Sequence, residues 1–168
     1  FGNWLENIQD WNLSRSRFWG TPLNIWRTES GDEERCVGSI RDLCAEIEHS
    51  IAKGFMHKNP FEGFDPDDLS QENYNKVDLH RPIVDKIVLV SKKGQPMYRE
   101  KDLIDVWFDS GAMPFAQEHY PFENRERVET GESFPADFIA EGLDQTRGWF
   151  YTLHAIATIT KGSKAFKN

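Results

Sequence analysis

A chain of 168 residues and 19.5 kDa is the size of one domain on the usual scale of roughly 150 residues each, and 38% hydrophobic residues supply it with a core. Twenty Lys and Arg against 28 Asp and Glu leave a net charge of −8, which excludes a dedicated nucleic-acid module, because such modules concentrate positive charge against phosphates; any RNA contact is expected to be local. Apolar runs such as Ile87-Val88-Leu89-Val90 fall far short of the roughly 18 residues a membrane span needs, so no membrane partner and a cytoplasmic location are expected.

In chain order, Trp4, Ile8 and Trp11 stand at helical spacing and predict a short opening helix, after which residues 13–26, LSRSRFWGTPLNIW, read as extended. Arg15 and Arg17 alternate there and so share one side of a strand. Residues 27–35 form a charged turn. Ser39, three positions before Asp42, is a capping arrangement. It opens an amphipathic helix whose stripe is Ile40, Leu43, Cys44, Ile47 and Ile51, and Gly54 stops it. Cys36 and Cys44 lack any partner at metal-ligand spacing and read as free thiols. Residues 57–82, rich in Asp, Asn, Pro and Gly, predict an irregular excursion with at most one short helix near 66–73. Residues 86–91 and 95–99 then flank Lys92-Lys93-Gly94 as a β-hairpin.

The last third carries the strongest pattern. Residues 136–140, ADFIA, read as a short strand ending at Glu141-Gly142. A helix is expected from near Asp144, with Thr146, Trp149, Phe150, Leu153, Ile156, Ala157 and Thr160 on one stripe. A strand that stops at a glycine and turns into a helix sets free N–H groups beside the strand's carboxyl end, where open α/β sheets bind nucleotides.

Three islands stand out: SRSRFWGTP at 14–22, DVWFDSG at 105–111 and FIAEGLDQTRGWF at 138–150, with HYPFEN at 119–124 between the last two. In this order they closely resemble the isoleucyl-tRNA synthetase family of class I aminoacyl-tRNA synthetases, over nearly the whole chain. The resemblance implies an α/β fold, the second half of a Rossmann-type catalytic domain with a small inserted connective α+β subdomain. On that basis residues 1–26 enter the catalytic domain as helix and strand, 27–104 form the insert with its hairpin, and 105–168 form a Rossmann-half strand-helix unit. The absence of an initiator Met and the end soon after a helix read as cuts in a longer protein.

The resemblance also implies an activity: an L-isoleucine carboxylate attacks the α-phosphate of ATP with Mg2+, and the aminoacyl group passes to tRNA(Ile). In the family the residues matching Glu141, Gly142 and Asp144 hold the aminoacyl-adenylate, Gln145 contacts the amino acid, and Trp107 and Trp149 wall its side-chain pocket. The residue chemistry agrees. Carboxylates at a turn accept from ribose hydroxyls or an ammonium, Gly142 permits close approach, and Gln145 binds polar groups without adding charge. The plain alternatives are that Asp144 caps a helix and that both tryptophans are core packing, Trp149 lying on the helix stripe. Arg15 and Arg17 have three available partners: the tRNA acceptor end, ATP phosphates and nearby acids. Asn24 stands where the family would place a proline.

The family's HIGH histidine motif and KMSKS loop have no counterpart here, Lys161-Gly162-Ser163-Lys164 reading as a basic helix end. Since both supply charge in the transition state, the chain alone is expected to be inactive, without editing and with no catalytic residue or metal site of its own. Two other readings are a valyl-type synthetase fragment and a non-catalytic, tryptophan-rich binding module for sugars. A cut sheet edge also makes self-association an expectation.

Overall fold

The computed structural model describes residues 1–168 and divides the chain into two compact units, one of Phe1–Leu13 with Asp105–Asn168 and one of Ser14–Ile104. The chain opens on a single helical turn, α1 (Gly2–Leu5), far shorter than the spacing of Trp4, Ile8 and Trp11 predicts. Trp11 lies beyond it, its indole Nε1 donating to Asp105 Oδ2 at 2.9 Å. That bond, rather than a helix stripe, fixes its place.

The unit of Ser14–Ile104 is built on β1 (Ser14–Arg15), β2 (Ile25–Thr28), β3 (Glu34–Cys36), α2 (Ile40–Ala52), α3 (Gln71–Tyr74), α4 (Arg81–Val84), β4 (Val88–Val90), β5 (Pro96–Arg99) and β6 (Leu103–Ile104). Four strands form an antiparallel sheet in the order β3-β2-β5-β4, with Trp26 opposite Arg35 on one side and Arg99 on the other. The expected extended run 13–26 is two short strands separated by bends. Arg17 falls outside β1, in a turn where its N–H meets Arg15 O at 3.0 Å, so Arg15 and Arg17 do not share a strand face. The charged turn is likewise shorter than 27–35, because Arg27 and Thr28 continue β2 and Glu34 and Arg35 begin β3.

Ser39 caps α2 as its spacing predicts, its Oγ accepting from Asp42 N at 3.0 Å, and the helix lays Leu43 and Ile47 onto a core of Trp26, Val37, Phe61, Val84, Ile87, Leu89 and Met97. Two polar ties fasten this contact: Trp26 Nε1 donates to Ile87 O at 3.0 Å and Ser50 Oγ to Val88 O at 2.5 Å. Burial among these side chains raises the Cys44 thiol pKa. The hairpin of β4 and β5 forms as expected, with Gly94 at φ +77° in its turn.

The excursion at 57–82 holds one short helical turn, α3, at 71–74 rather than 66–73, and a second, α4, begins at its end. Its backbone has no ladder to join, so a buried side chain satisfies it. Asn73, 1% exposed, donates to Asp65 O and Asp68 O at 2.7 and 2.6 Å and accepts from Asp65 N at 2.9 Å. Arg99 does similar work between loops: its side chain is 1% exposed, and it donates to Asp85 Oδ1, Leu23 O and Asp102 O. Burial pushes the Asp85 carboxyl up, but the hydrogen bonds from Arg99 and Arg81 outweigh that and hold it below its ordinary value.

The other unit contains α1, α5 (Val106–Ala116), α6 (Arg125–Glu129) and α7 (Trp149–Lys161), around a core of Phe115, Val128, Phe134, Leu153, Ile156, Ala157 and Ala165. Residues 136–140 are not a sheet strand as expected. They make one parallel bridge, Ala136 with Phe166, backed by Ala136 N to Ala165 O, Lys167 N to Ala136 O and Ile139 N to Asn168 O at 3.0, 2.8 and 2.9 Å. A strand is defined by a ladder, and this segment finds partners only in residues 165–168. The two segments run parallel with α7 between them, which is the connectivity of a β-α-β crossover. The whole chain is a mixed α/β structure.

Candidate functional site

The turn from Gly142 into α7 is where the sequence pattern and the structure meet most closely. Leu143–Arg147 is a 3-10 turn, and the α-helix begins only at Trp149, five residues later than expected. Gly148 marks the break: its backbone sits at φ −124°, ψ −114°, outside the helical region. A Cβ there would also lie 2.7 Å from Gln145 Oε1. Asp144 therefore does not cap the helix. Gln145 does, its Oε1 accepting from Trp149 N at 2.9 Å while its Nε2 donates to Asp144 Oδ2 at 3.3 Å.

The glycine at 142 serves closeness rather than an unusual dihedral. Its φ of −59° is open to any residue. A Cβ on it would stand 2.5 Å from Asp144 Oδ1, so a side chain would push the carboxylate away. Glu141, Gly142 and Asp144 are exposed and Gln145 is half-buried.

Trp149 is tied to α5 by a device the sequence reading missed. Pro114 lies inside α5 and has no N–H, so the carbonyl four residues earlier, Ser110 O, loses its helical donor. The Trp149 indole Nε1 donates to that oxygen at 3.1 Å. A proline four residues after Ser110 was the available signal. Beside it, α5 and α7 approach closely at Gly111, where an added Cβ would fall 2.9 Å from the Thr152 carbonyl carbon and 3.0 Å from Ile156 Cδ1.

Trp107 occupies the first turn of the same α5, 42% exposed. The buried Asp105 caps that helix through Trp107 N at 3.3 Å while also receiving the Trp11 indole. Ser110 Oγ donates to Trp107 O at 3.1 Å, so one residue links the backbone of Trp107 to the indole of Trp149. The structure thus joins Asp144, Gln145, Trp149, Ser110 and Trp107 in one hydrogen-bonded chain. Glu141 sits beside it without an added tie.

Taken as a class, this is an α/β unit in which an Asp-Gln turn caps a helix that follows a parallel bridge segment. The family model for class I tRNA synthetases (I, L, M and V) matches residues 1–168. The chain belongs to that family. It is 69% identical over 167 residues to the isoleucine–tRNA ligase of Porphyromonas gingivalis, covering 99% of this chain. It is 64% identical to that of Bacteroides fragilis over 99% of this chain, and 58% identical to that of Cytophaga hutchinsonii over all of it. The chain spans about 15% of the length of these relatives.

Proposed function

We propose that this chain is part of an isoleucine–tRNA ligase and contributes the adenylate and side-chain half of its activating site. In this reading 105–168 is a Rossmann-half strand-helix unit, which the parallel pairing of 136–139 with 165–168 around α7 supports. The connective insert is then better bounded at 14–104 than at 27–104. Ser14 pairs with Ile104, so the insert would leave and return at one point.

The observation that carries the proposal is the fixing of Gln145 and Trp149 by one another and by Ser110, which leaves the Asp144 carboxylate exposed at the turn. ATP would be met by Glu141 and Gly142 through ribose hydroxyls and close backbone approach, and the L-isoleucine ammonium by Asp144 and Gln145. Trp107 and Trp149 offer apolar faces to the branched chain. A pocket of this kind separates side chains differing by one methylene by only about 1–3 kcal/mol, isoleucine against valine in this enzyme class being the standard illustration of that limit rather than a value obtained from this structure. No three acidic, His or Cys side chains converge as a metal cage. Mg2+ would be an ion carried on ATP phosphates with most of its waters retained.

Relatives called isoleucine–tRNA ligase favour isoleucine over the valyl-type reading. A sugar platform is disfavoured by burial, since only Trp19 and Trp107 of the six tryptophans are exposed, and His80 stacks on Trp19 at 4.2 Å. The test is isoleucine-dependent pyrophosphate exchange in the full-length parent. D144A is expected to lower kcat/KM by about a hundredfold or more, as loss of a charged contact to the reacting ligand does, and a change under about threefold would reject the site. The chain alone should show no exchange.

A further inference from the structure

A cavity of about 450 Å³ opens in the unit of Ser14–Ile104, lined by none of the site residues assigned above. Its lining is Arg35 from β3, Glu46, His49 and Lys53 from α2, and residues 90–92 with Gly94 from the β4-β5 hairpin. Glu46, His49 and Lys53 follow one another at three- and four-residue steps, which brings them to one face of the helix. Arg35 forms an ion pair with Glu46, so the only acid of the lining is already neutralised. Lys53 and Lys92, with His49 beside them, make no ion pair or side-chain hydrogen bond.

Elsewhere in this chain, whose net charge is −8, Arg27, Arg41, Arg81, Lys93, Arg99, Arg125, Arg127 and Lys167 are paired with acids. The hairpin holds Lys92 firmly: its N–H donates to Glu33 Oε2 at 2.8 Å, and Gln95 N donates to Ser91 Oγ at 3.0 Å. Basic residues late in a helix also complement its dipole, but Lys92 is not on the helix. The carbonyls of His49, Ser50 and Ile51 in the last turn of α2 are engaged by the N–H groups of Lys53, Phe55 and Gly54.

From this we infer that the Arg35-His49-Lys53-Lys92 cavity is a binding site for the phosphodiester backbone of RNA. It is too large for one inorganic anion alone, and its walls supply two free point charges and an imidazole without any base-reading pattern, which suits backbone contact. The choice of RNA rests on the proposal that tRNA is a partner of the parent protein.

The probe is a short fluorescein-labelled RNA hairpin titrated into the 168-residue chain, read by anisotropy, with amide shifts mapped on the unmodified protein. Shifts are expected at residues 35, 49, 53 and 90–94. K53Q/K92Q should weaken binding about tenfold or more and flatten the log–log salt dependence by about 2, while K58Q/K164Q, with the same net charge, should stay within about twofold. Shifts spread evenly over both units, equal losses in the two double variants, binding of inorganic phosphate without RNA, or binding of a poly-glutamate peptide but not RNA would each overturn the inference. The shift map decides even if a variant fails to fold. Isoleucine-dependent pyrophosphate exchange in the parent needs no RNA, so K53Q/K92Q should leave it unchanged, which separates failure here from failure of the proposed adenylate site.

Discussion

Replacing Trp149 by Phe removes the indole donor from Ser110 O while keeping most of the ring volume, and Pro114 prevents the helix from supplying another. An acceptor stripped of its partner in a half-buried site costs about 1–3 kcal/mol, and the smaller ring adds a modest packing loss. W149F should therefore destabilise its unit by about 2–3 kcal/mol. In a P114A background the alanine restores an N–H to the same carbonyl, so W149F should then cost only about 1 kcal/mol, the packing part. The expected coupling is about 1–2 kcal/mol, well above the 0.3–0.5 kcal/mol scatter of independent sites. Urea unfolding followed at residue level by amide NMR signals of α5 and α7 measures all four corners, and the cycle cancels the separate effect of proline on the unfolded chain. Additive effects would refute the claim that Pro114 directs the Trp149 indole onto Ser110.

At Gly111, G111A gains about 1 kcal/mol of helix propensity but forces a Cβ against Thr152 backbone and Ile156. Overpacking of about 1–3 kcal/mol should dominate, and a midpoint in urea at or above the unmodified value would contradict the close approach of α5 and α7. In the other unit, R99M leaves Asp85 with Arg81 alone and takes a donor from the Leu23 and Asp102 carbonyls, and should cost about 1–3 kcal/mol by denaturant unfolding. The Asp85 carboxyl is held below its ordinary value, so its contribution is fully present above the unfolded value near pH 3.9 and is lost as the pH falls through the lower folded value. Acid titration of R99M should show a flatter loss in that window than the unmodified chain, and identical curves would refute the pairing. Sedimentation of the chain over a range of concentrations tests the proposed self-association, which a single monomeric species would reject.

The readable parts of the fold were those set by short-range chemistry. Ser39 and Asp42 announce the start of α2, and Lys92-Lys93-Gly94 announces a hairpin, because each needs only residues a few places apart. What was not legible depends on distant partners. Residues 136–140 have a strand's composition, yet whether they form a ladder is decided at 165–168. The residues of the candidate site were legible through the family motif, but their local conformations were not. Asp144 at a helix start is a natural cap by type, and only the backbone break at Gly148 shifts that role to Gln145. Asn73 and Arg99, which hold the irregular segments, carry no sequence signal, since Asn73 binds only backbone groups and a lysine through its side chain and Arg99 divides its bonds between backbone carbonyls and Asp85.

The proposal of an insert at 14–104 leads to one more outcome. Asp105 N donates to Leu13 O at 2.8 Å, so the ends of the outer unit are already a single hydrogen bond apart, and every core residue of that unit comes from 1–13 or 105–168. The insert closes its own ends as well, through the pairing of Ser14 with Ile104. The outer unit therefore experiences a folded insert as a short fixed link, not as a flexible loop of roughly 90 residues, for which shortening to a few residues would recover about 2–3 kcal/mol of closure entropy. Replacing 14–104 by a Gly-rich tetrapeptide should leave the outer unit folded and change its stability by no more than about 1 kcal/mol. Amide spectra retaining the dispersed signals of α5 and α7 would bear this out. A spectrum collapsed to unfolded shifts would show that the outer unit draws on the insert for its core, and the boundary at Ser14 would have to be given up.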